Sequence, residues 1–209
     1  MSAEVDQQPL GTTDPPLIIV LSGCSGAGKD TVLQRMLELN YPIAIPATMT
    51  TRAPRPGEVH GVHHVFVTPE EFDRQLTAGE LLEHALVYGN SYGVPRSQVR
   101  AAMETGNQVM IRVDVQGAAS LRDTLPEALS IFLVPDDPAH LEAHLRARGS
   151  EDEDALRARL DQVEREMDEA RHFDHVIENI EDDLDATAVA VAAAIRAEAD
   201  RPDREPIEV

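Results

Sequence analysis

Lysine occurs once in this chain: 17 arginines carry the rest of its basic charge, and the single lysine, Lys29, closes the run Gly23-Cys24-Ser25-Gly26-Ala27-Gly28-Lys29. That run matches G-x-x-x-x-G-K. Its glycines let the backbone turn successive N–H groups inward around a phosphate, and the helix that follows adds its positive N-terminal dipole. A lysine at the end is a compact, flexible point charge that can reach the β- and γ-phosphates of a nucleoside triphosphate. Gly23, Ser25, Gly26, Ala27, Gly28 and Lys29 are therefore candidate triphosphate contacts. The next position normally holds Ser or Thr, whose hydroxyl binds Mg2+. Here it is Asp30, followed by Thr31. A carboxylate is a harder and more highly charged ligand for that ion, so Asp30 is the candidate metal residue and Thr31 a further loop contact.

A second cluster lies in Thr50-Thr51-Arg52-Ala53-Pro54-Arg55-Pro56-Gly57-Glu58. Two arginines three apart, on a loop stiffened by proline, make a preorganised fork for a phosphate. The plain alternative is that Arg52 and Arg55 solvate a loop. In so acidic a chain their clustering favours an anion site.

Elements of defined type must position these residues. Leu17–Leu21 is an apolar run suited to a buried parallel strand, and apolar spacing from Thr31 to Leu39 predicts a helix after the glycine loop. Residues 42–68 read as extended segments broken by Pro and Gly, and Thr68-Pro69-Glu70-Glu71 has the pattern of a helix N-cap. Buried strands are expected over Gln108–Val115, Ser130–Val134 and Phe173–Glu178. Helices are expected over Val94–Thr105, Ala118–Leu125, Ala139–Arg148, Glu151–His172 and Leu184–Ala199. Alternation of strand and helix predicts an α/β fold with helices on both faces of a parallel sheet.

Composition excludes several classes. With 18 basic against 38 acidic residues the net charge is −20, which repels a nucleic-acid backbone. Such acidity serves solubility or, alternatively, growth in high salt. Apolar residues make up 42% of the chain and aromatics 3%, so a core can form but must be built from Leu, Val, Ile and Ala. No apolar run nears the ~20 residues of a membrane helix, and no signal peptide is apparent. One cysteine leaves no internal disulfide and fits a reducing cytoplasm.

The arginine loop is followed by Leu82-Glu83-His84-Ala85, Tyr88-Gly89-Asn90-Ser91-Tyr92-Gly93 and Asp114-Val115-Gln116-Gly117-Ala118. In order and spacing these blocks, with the phosphate loop, resemble guanylate kinase over about residues 17–198. The resemblance implies a P-loop NTPase: a three-layer parallel-sheet core (16–45, 95–138 and 170–200), a small β-rich GMP-binding insertion (46–94) and a helical lid (139–169). Residues 1–15 would be a disordered lead-in and 201–209 a loose tail. It further implies ATP and Mg2+, with GMP and ATP as substrates, and a cytoplasmic monomer or homodimer that binds neither nucleic acid nor membrane.

Position by position, the resemblance assigns Arg52, Arg55 and Tyr92 to the GMP phosphate and Glu83 and Asp114 to the guanine edge. It assigns Arg148 and Arg159 to a lid over the transferring phosphoryl group, and Asn179 to the base of ATP. Catalysis would fall to Lys29, Arg52, Arg148 and Arg159. Guanine offers N1–H and N2–H2 as donors, which carboxylates accept and adenine lacks. Read from its neighbours alone, Glu83 is a solvated charge at a helix end, and Arg146, Arg157 and Arg165 are exposed helix charges.

Some positions depart from the family pattern. His64 stands for a phosphate-binding tyrosine, Thr48 for a serine near the base, Val94 for a hydroxyl residue and His144 for a lid arginine. Cys24 replaces a proline as a small tolerated residue. Arg112 occupies a position usually acidic while Asp30 adds a carboxylate in the loop, a pair of changes that would compensate each other at the metal. Two other functions stay open: a P-loop kinase of a ribose phosphate, some of which carry Asp after the loop lysine, and a non-catalytic guanylate-kinase-like module that binds phosphopeptides.

Overall fold

Six consecutive buried residues, Ile18–Gly23, form the first strand, β1, of the computed structural model, which describes residues 10, 13–87, 89–137, 140, 161 and 163–209. Helix α1 (Lys29–Glu38) follows the glycine loop, then the short strands β2 (Ile43–Ala44), β3 (Thr48–Thr50) and β4 (His64–Phe66). Helix α2 (Pro69–Thr77) leads to β5 (Leu81–Val87), β6 (Asn90–Pro95), α3 (Arg96–Met103), β7 (Gln108–Arg112) and α4 (Val115–Thr124). The chain continues through β8 (Leu129–Pro135), a 3-10 turn (Glu169–His172), β9 (His175–Asn179) and α5 (Leu184–Ala199).

Strands β2, β7, β1, β8 and β9 are hydrogen-bonded in that order, which puts β1 in the middle. The pairs β2–β7 and β8–β9 are parallel, as the strand–helix alternation predicts. A second, four-stranded sheet has the order β4-β3-β6-β5. The chain divides into two compact units: Met1–Gly11, Leu21–Pro42 and Leu129–Arg204 make one, and Thr12–Val20, Ile43–Ala128 and Glu205–Val209 the other. The second is wider than the insertion expected over 46–94, since it includes β7 and α4.

Each unit has an apolar core. In the first, Leu21, Val32, Met36, Ile131, Leu133, Val191 and Ile195 have no exposed surface. In the second, Met49, Phe72 and Leu81 pack with Val65, Val67 and Leu76. Thr68 caps α2 by accepting a hydrogen bond from the Glu71 N–H at 3.2 Å, with Pro69 at the first helical position, as its sequence pattern requires.

The elements differ from expectation in specific places. The segment expected as helix from Val94 begins instead at Arg96, because Val94 and Pro95 end strand β6. The strand expected to reach Val115 stops at Arg112, and α4 starts at Val115 rather than Ala118, because the Asp114 side chain caps it through the Gly117 N–H (2.9 Å). The β5–β6 hairpin was not legible as strands. Its partners shift from Leu81↔Pro95 to His84↔Gly93, one extra residue on β5. Such a bulge breaks the two-residue alternation that marks a strand in sequence. At the ends, Leu10 is buried and Thr13 bonds Gln108, while the Val209 carbonyl accepts from Arg100 Nε. Residues 1–9 and 11–12 of the expected lead-in and most of the expected lid helices lie outside the described residues.

Candidate active site

The loop between β1 and α1 needs glycine at two points for space as well as for backbone shape. A Cβ on Gly23 would stand 2.4 Å from the Leu133 carbonyl oxygen, and one on Gly28 2.3 Å from Asn179 Nδ2. Gly28 also takes a left-handed φ of 78° where it caps α1, a conformation disfavoured with a side chain. Lys29 opens the helix and folds back over the loop, its Nζ donating to the Gly23 carbonyl at 2.7 Å and to that of Cys24 at 3.3 Å. Asn179, which the resemblance assigns to the base of ATP, is 8% exposed, and its Nδ2 donates to the Ala27 carbonyl at 3.0 Å. This bond braces the loop from the end of β9.

Glu166 was not singled out in the sequence, yet its Oε2 accepts a 2.6 Å hydrogen bond from the Ser25 N–H. A carboxylate oxygen thus meets a loop N–H of the kind that would hold a phosphate. Cys24 is fully buried, and burial pushes its thiol up to about 11, a setting that disfavours the thiolate. Asp30 and Thr31 are exposed on the first turn of α1. Mg2+ commonly takes one or two carboxylates and completes its shell with phosphate oxygens and water. Asp30, directly after Lys29, fits that donor set. Among the described residues no group of three or more His, Cys, Asp or Glu makes a protein-only metal site.

In the other unit, strands β3, β4 and β6 bring together the residues expected at the acceptor phosphate. Thr50 pairs Tyr92 across β3–β6, and Thr48 pairs His64 across β3–β4. Arg52 donates from Nε to the Tyr92 hydroxyl at 3.1 Å and grips Glu58 with two bonds, 3.0 and 2.8 Å. Glu58 also accepts from the Arg55 N–H at 2.6 Å. These donors hold the Glu58 carboxyl down to about 2. Glu58, quoted in the sequence only as part of a motif, therefore sets the Arg52 guanidinium in place, and its six-residue spacing across a Pro/Gly turn was the available signal. The Arg55 guanidinium has no hydrogen bond or ion pair to a described residue. Thr48, buried, bonds His64 Nδ1 at 2.7 Å. Burial, then the charges of Arg112 and Arg52, push the His64 imidazole below its ordinary value, so it is neutral at pH 7.

Glu83 is the reverse of the solvated helix-end charge that its neighbours suggested. It lies on β5 at the bulge, 6% exposed, with Oε2 buried and without a hydrogen-bond partner among the described residues. Burial, then the nearby Asp114 charge, pushes its carboxyl up to about 8. The bulge is the local cause: it buries Leu81, Leu82 and Glu83 in succession where a regular strand would turn one of them outward. Val94 is fully buried on β6 and supplies only packing. Arg165 is exposed and its Nε donates to the Asp161 carbonyl, as its helix-surface reading expects. Arg148, Arg159, His144, Arg146 and Arg157 lie outside the described residues.

A glycine-rich phosphate loop running from the middle strand of an α/β sheet into a helix defines the P-loop NTPase fold. Residues 16–198 match the family model for guanylate kinase. The chain is 42% identical to guanylate kinase 2, chloroplastic/mitochondrial, of Oryza sativa over 91% of its own length and 67% of that protein. It is 39% identical to guanylate kinase of Thermosynechococcus vestitus, over 88% and 95%. The crystal structure of guanylate kinase from Anaplasma phagocytophilum superposes with a TM-score of 0.73 at 33% identity, covering 92% of this chain and 91% of that one. The chain belongs to the guanylate kinase family. No helix among the described residues is long and apolar enough to cross a membrane.

Proposed function

We propose that this chain transfers the γ-phosphoryl group of ATP to GMP, and to dGMP, giving ADP and GDP within purine nucleotide metabolism in the cytoplasm. The observation that carries the choice of acceptor is Glu83, a buried carboxyl with an orphaned oxygen and a raised proton affinity. An acceptor so placed is costly unless a ligand brings donors to it. Guanine brings N1–H and N2–H2. Asp114 spends Oδ1 on the Gly117 N–H, which leaves its other oxygen for the same edge of the base. Adenine would leave both acids unpaired, and this is the source of discrimination.

On the acceptor phosphate, Arg52 acts as a fork held by Glu58, Tyr92 donates its hydroxyl, and His64 and Arg55 add further donors. On the donor side, the loop N–H groups from Gly23 to Thr31 cradle ATP, and Lys29 turns from its own loop carbonyls to the β- and γ-phosphates. Magnesium, when bound at Asp30, would neutralise charge on those phosphates. Arg148 and Arg159 would stabilise charge on the transferring group and exclude water. Transfer is in-line, without a covalent intermediate, and rests on positioning and electrostatics.

A coupled ADP-release assay with Mg·ATP tests the reading, with GMP, AMP, CMP, UMP and a ribose phosphate as acceptors. Turnover with GMP and dGMP and not with the others supports it. Turnover with the sugar phosphate alone would move the chain to another kinase class, and tight GMP binding without turnover would make it a binding module.

A further inference from the structure

Gly117 sits at the third position of α4, and its backbone is not in the left-handed region. Alanine is the better helix former there, so conformation gives no reason for glycine. Space does. A Cβ at this position would stand 2.9 Å from Glu83 Oε2, 3.2 Å from Glu83 Cδ and 2.9 Å from Val113 Cβ. The same residue's N–H donates to Asp114 Oδ1 at 2.9 Å. One residue therefore touches both acids assigned to the guanine edge: its missing side chain makes room for one carboxylate, and its backbone orients the other.

We infer that Gly117 is a positioning residue for acceptor specificity, which sets the separation and aim of the Glu83 and Asp114 carboxylates so that both meet the donor edge of one purine. The inference rests on the GMP reading above. Helix α4 packs against β5, so any side chain at 117 pushes on the strand that carries Glu83. Glu83 cannot yield easily, because it is buried beside Leu81 and Leu82 at the bulge. Displacing a substrate-reading group by about 1 Å costs on the order of 10- to 100-fold. The atoms nearest a side chain at 117 belong to Glu83 and Val113, so the loss should fall on GMP recognition.

The test is steady-state kinetics on the full chain with Gly117→Ala, Glu83→Asp and the double variant, after the wild type has been shown to turn over GMP. Gly117→Ala should raise KM for GMP on the order of 10-fold or more, with kcat and KM for ATP near wild type and a narrowed preference for GMP over AMP. The shorter acid withdraws from the added methyl, so the double variant should bind GMP better than the product of the two single losses predicts. An unchanged KM in Gly117→Ala, a loss confined to kcat, or strictly multiplicative losses in the double variant would overturn the positioning role while leaving the kinase reading intact. If Gly117→Ala does not fold, the double variant decides alone: folded with partial GMP turnover supports the clash, and unfolded overturns it. A wild type that ignores GMP would overturn the reading on which the inference stands.

Discussion

With Glu83 reading guanine as proposed, GMP binding should release a proton. Burial and the Asp114 charge push it up to about 8, so the free protein near neutral pH holds it largely protonated. A protonated carboxyl cannot accept two donors from guanine, and the complex requires the ionised form. At pH 6 only ~1% of the free protein is then binding-competent at this group, against ~50% at pH 8. The apparent affinity for GMP should rise ~50-fold across that interval and level off above it, a change of ~2.3 kcal/mol. The GMP phosphate titrates near pH 6, so the control is Glu83→Gln, a neutral isostere that keeps the phosphate contribution and removes the one from the acid. Calorimetric titration at pH 7 in two buffers of different ionisation enthalpy should give ~0.9 proton released per GMP in the wild type and little in Glu83→Gln. The same shift acts on folding. A raised folded value means stability is greatest below the ordinary carboxylate range and declines as pH climbs through about 8. Glu83→Gln should therefore melt higher than the wild type at pH 9 and about equally at pH 4. A flat KM between pH 6 and 8, or a slope that persists unchanged in Glu83→Gln, would refute the reasoning.

The phosphate loop yields further expectations. Gly28→Ala should reduce kcat/KM for ATP by ~100-fold or more, because the new methyl meets Asn179 Nδ2 and the backbone sits at positive φ; nucleotide-dependent kinetics check it, and near-normal ATP affinity would count against the packing described. Glu166→Gln should tighten ATP binding several-fold by removing a competing anion from the Ser25 N–H, read by titration with a non-hydrolysable ATP analogue; weaker binding would show that Glu166 supports the loop instead. Cys24, held up to about 11 by burial, should resist a thiol reagent at pH 8 in the native protein and react once urea unfolds it. Asp30→Ser and Arg112→Glu should each damage turnover while the double variant recovers part of it, if the two departures compensate; strictly additive losses measured in the same assay would sink that pairing.

Sequence by itself determined the elements whose signal is local. The apolar run ending at Leu21, the glycines and Lys29 announce a strand, a phosphate loop and a helix, because chain geometry and charge at successive residues suffice to define them. The Thr68 cap and the strand–helix alternation were legible for the same reason. The arginine loop could be read as an anion site from Arg52 and Arg55, but the grip of Glu58 on Arg52 depends on how the Pro/Gly turn closes. What tertiary structure decided is the environment of polar groups. Glu83 reads as a surface charge until the β5 bulge buries it, and a bulge erases the two-residue period by which a strand is recognised. Asn179 is an ordinary strand-end amide until β9 lies under Gly28, and Gly117 a poor helix residue until its bare Cα faces a carboxylate. Residue types reveal which chemistry is possible. Burial and close approach between residues distant in sequence decide which of those groups are strained, oriented or neutral, since desolvation and van der Waals contact exist only once the chain has folded.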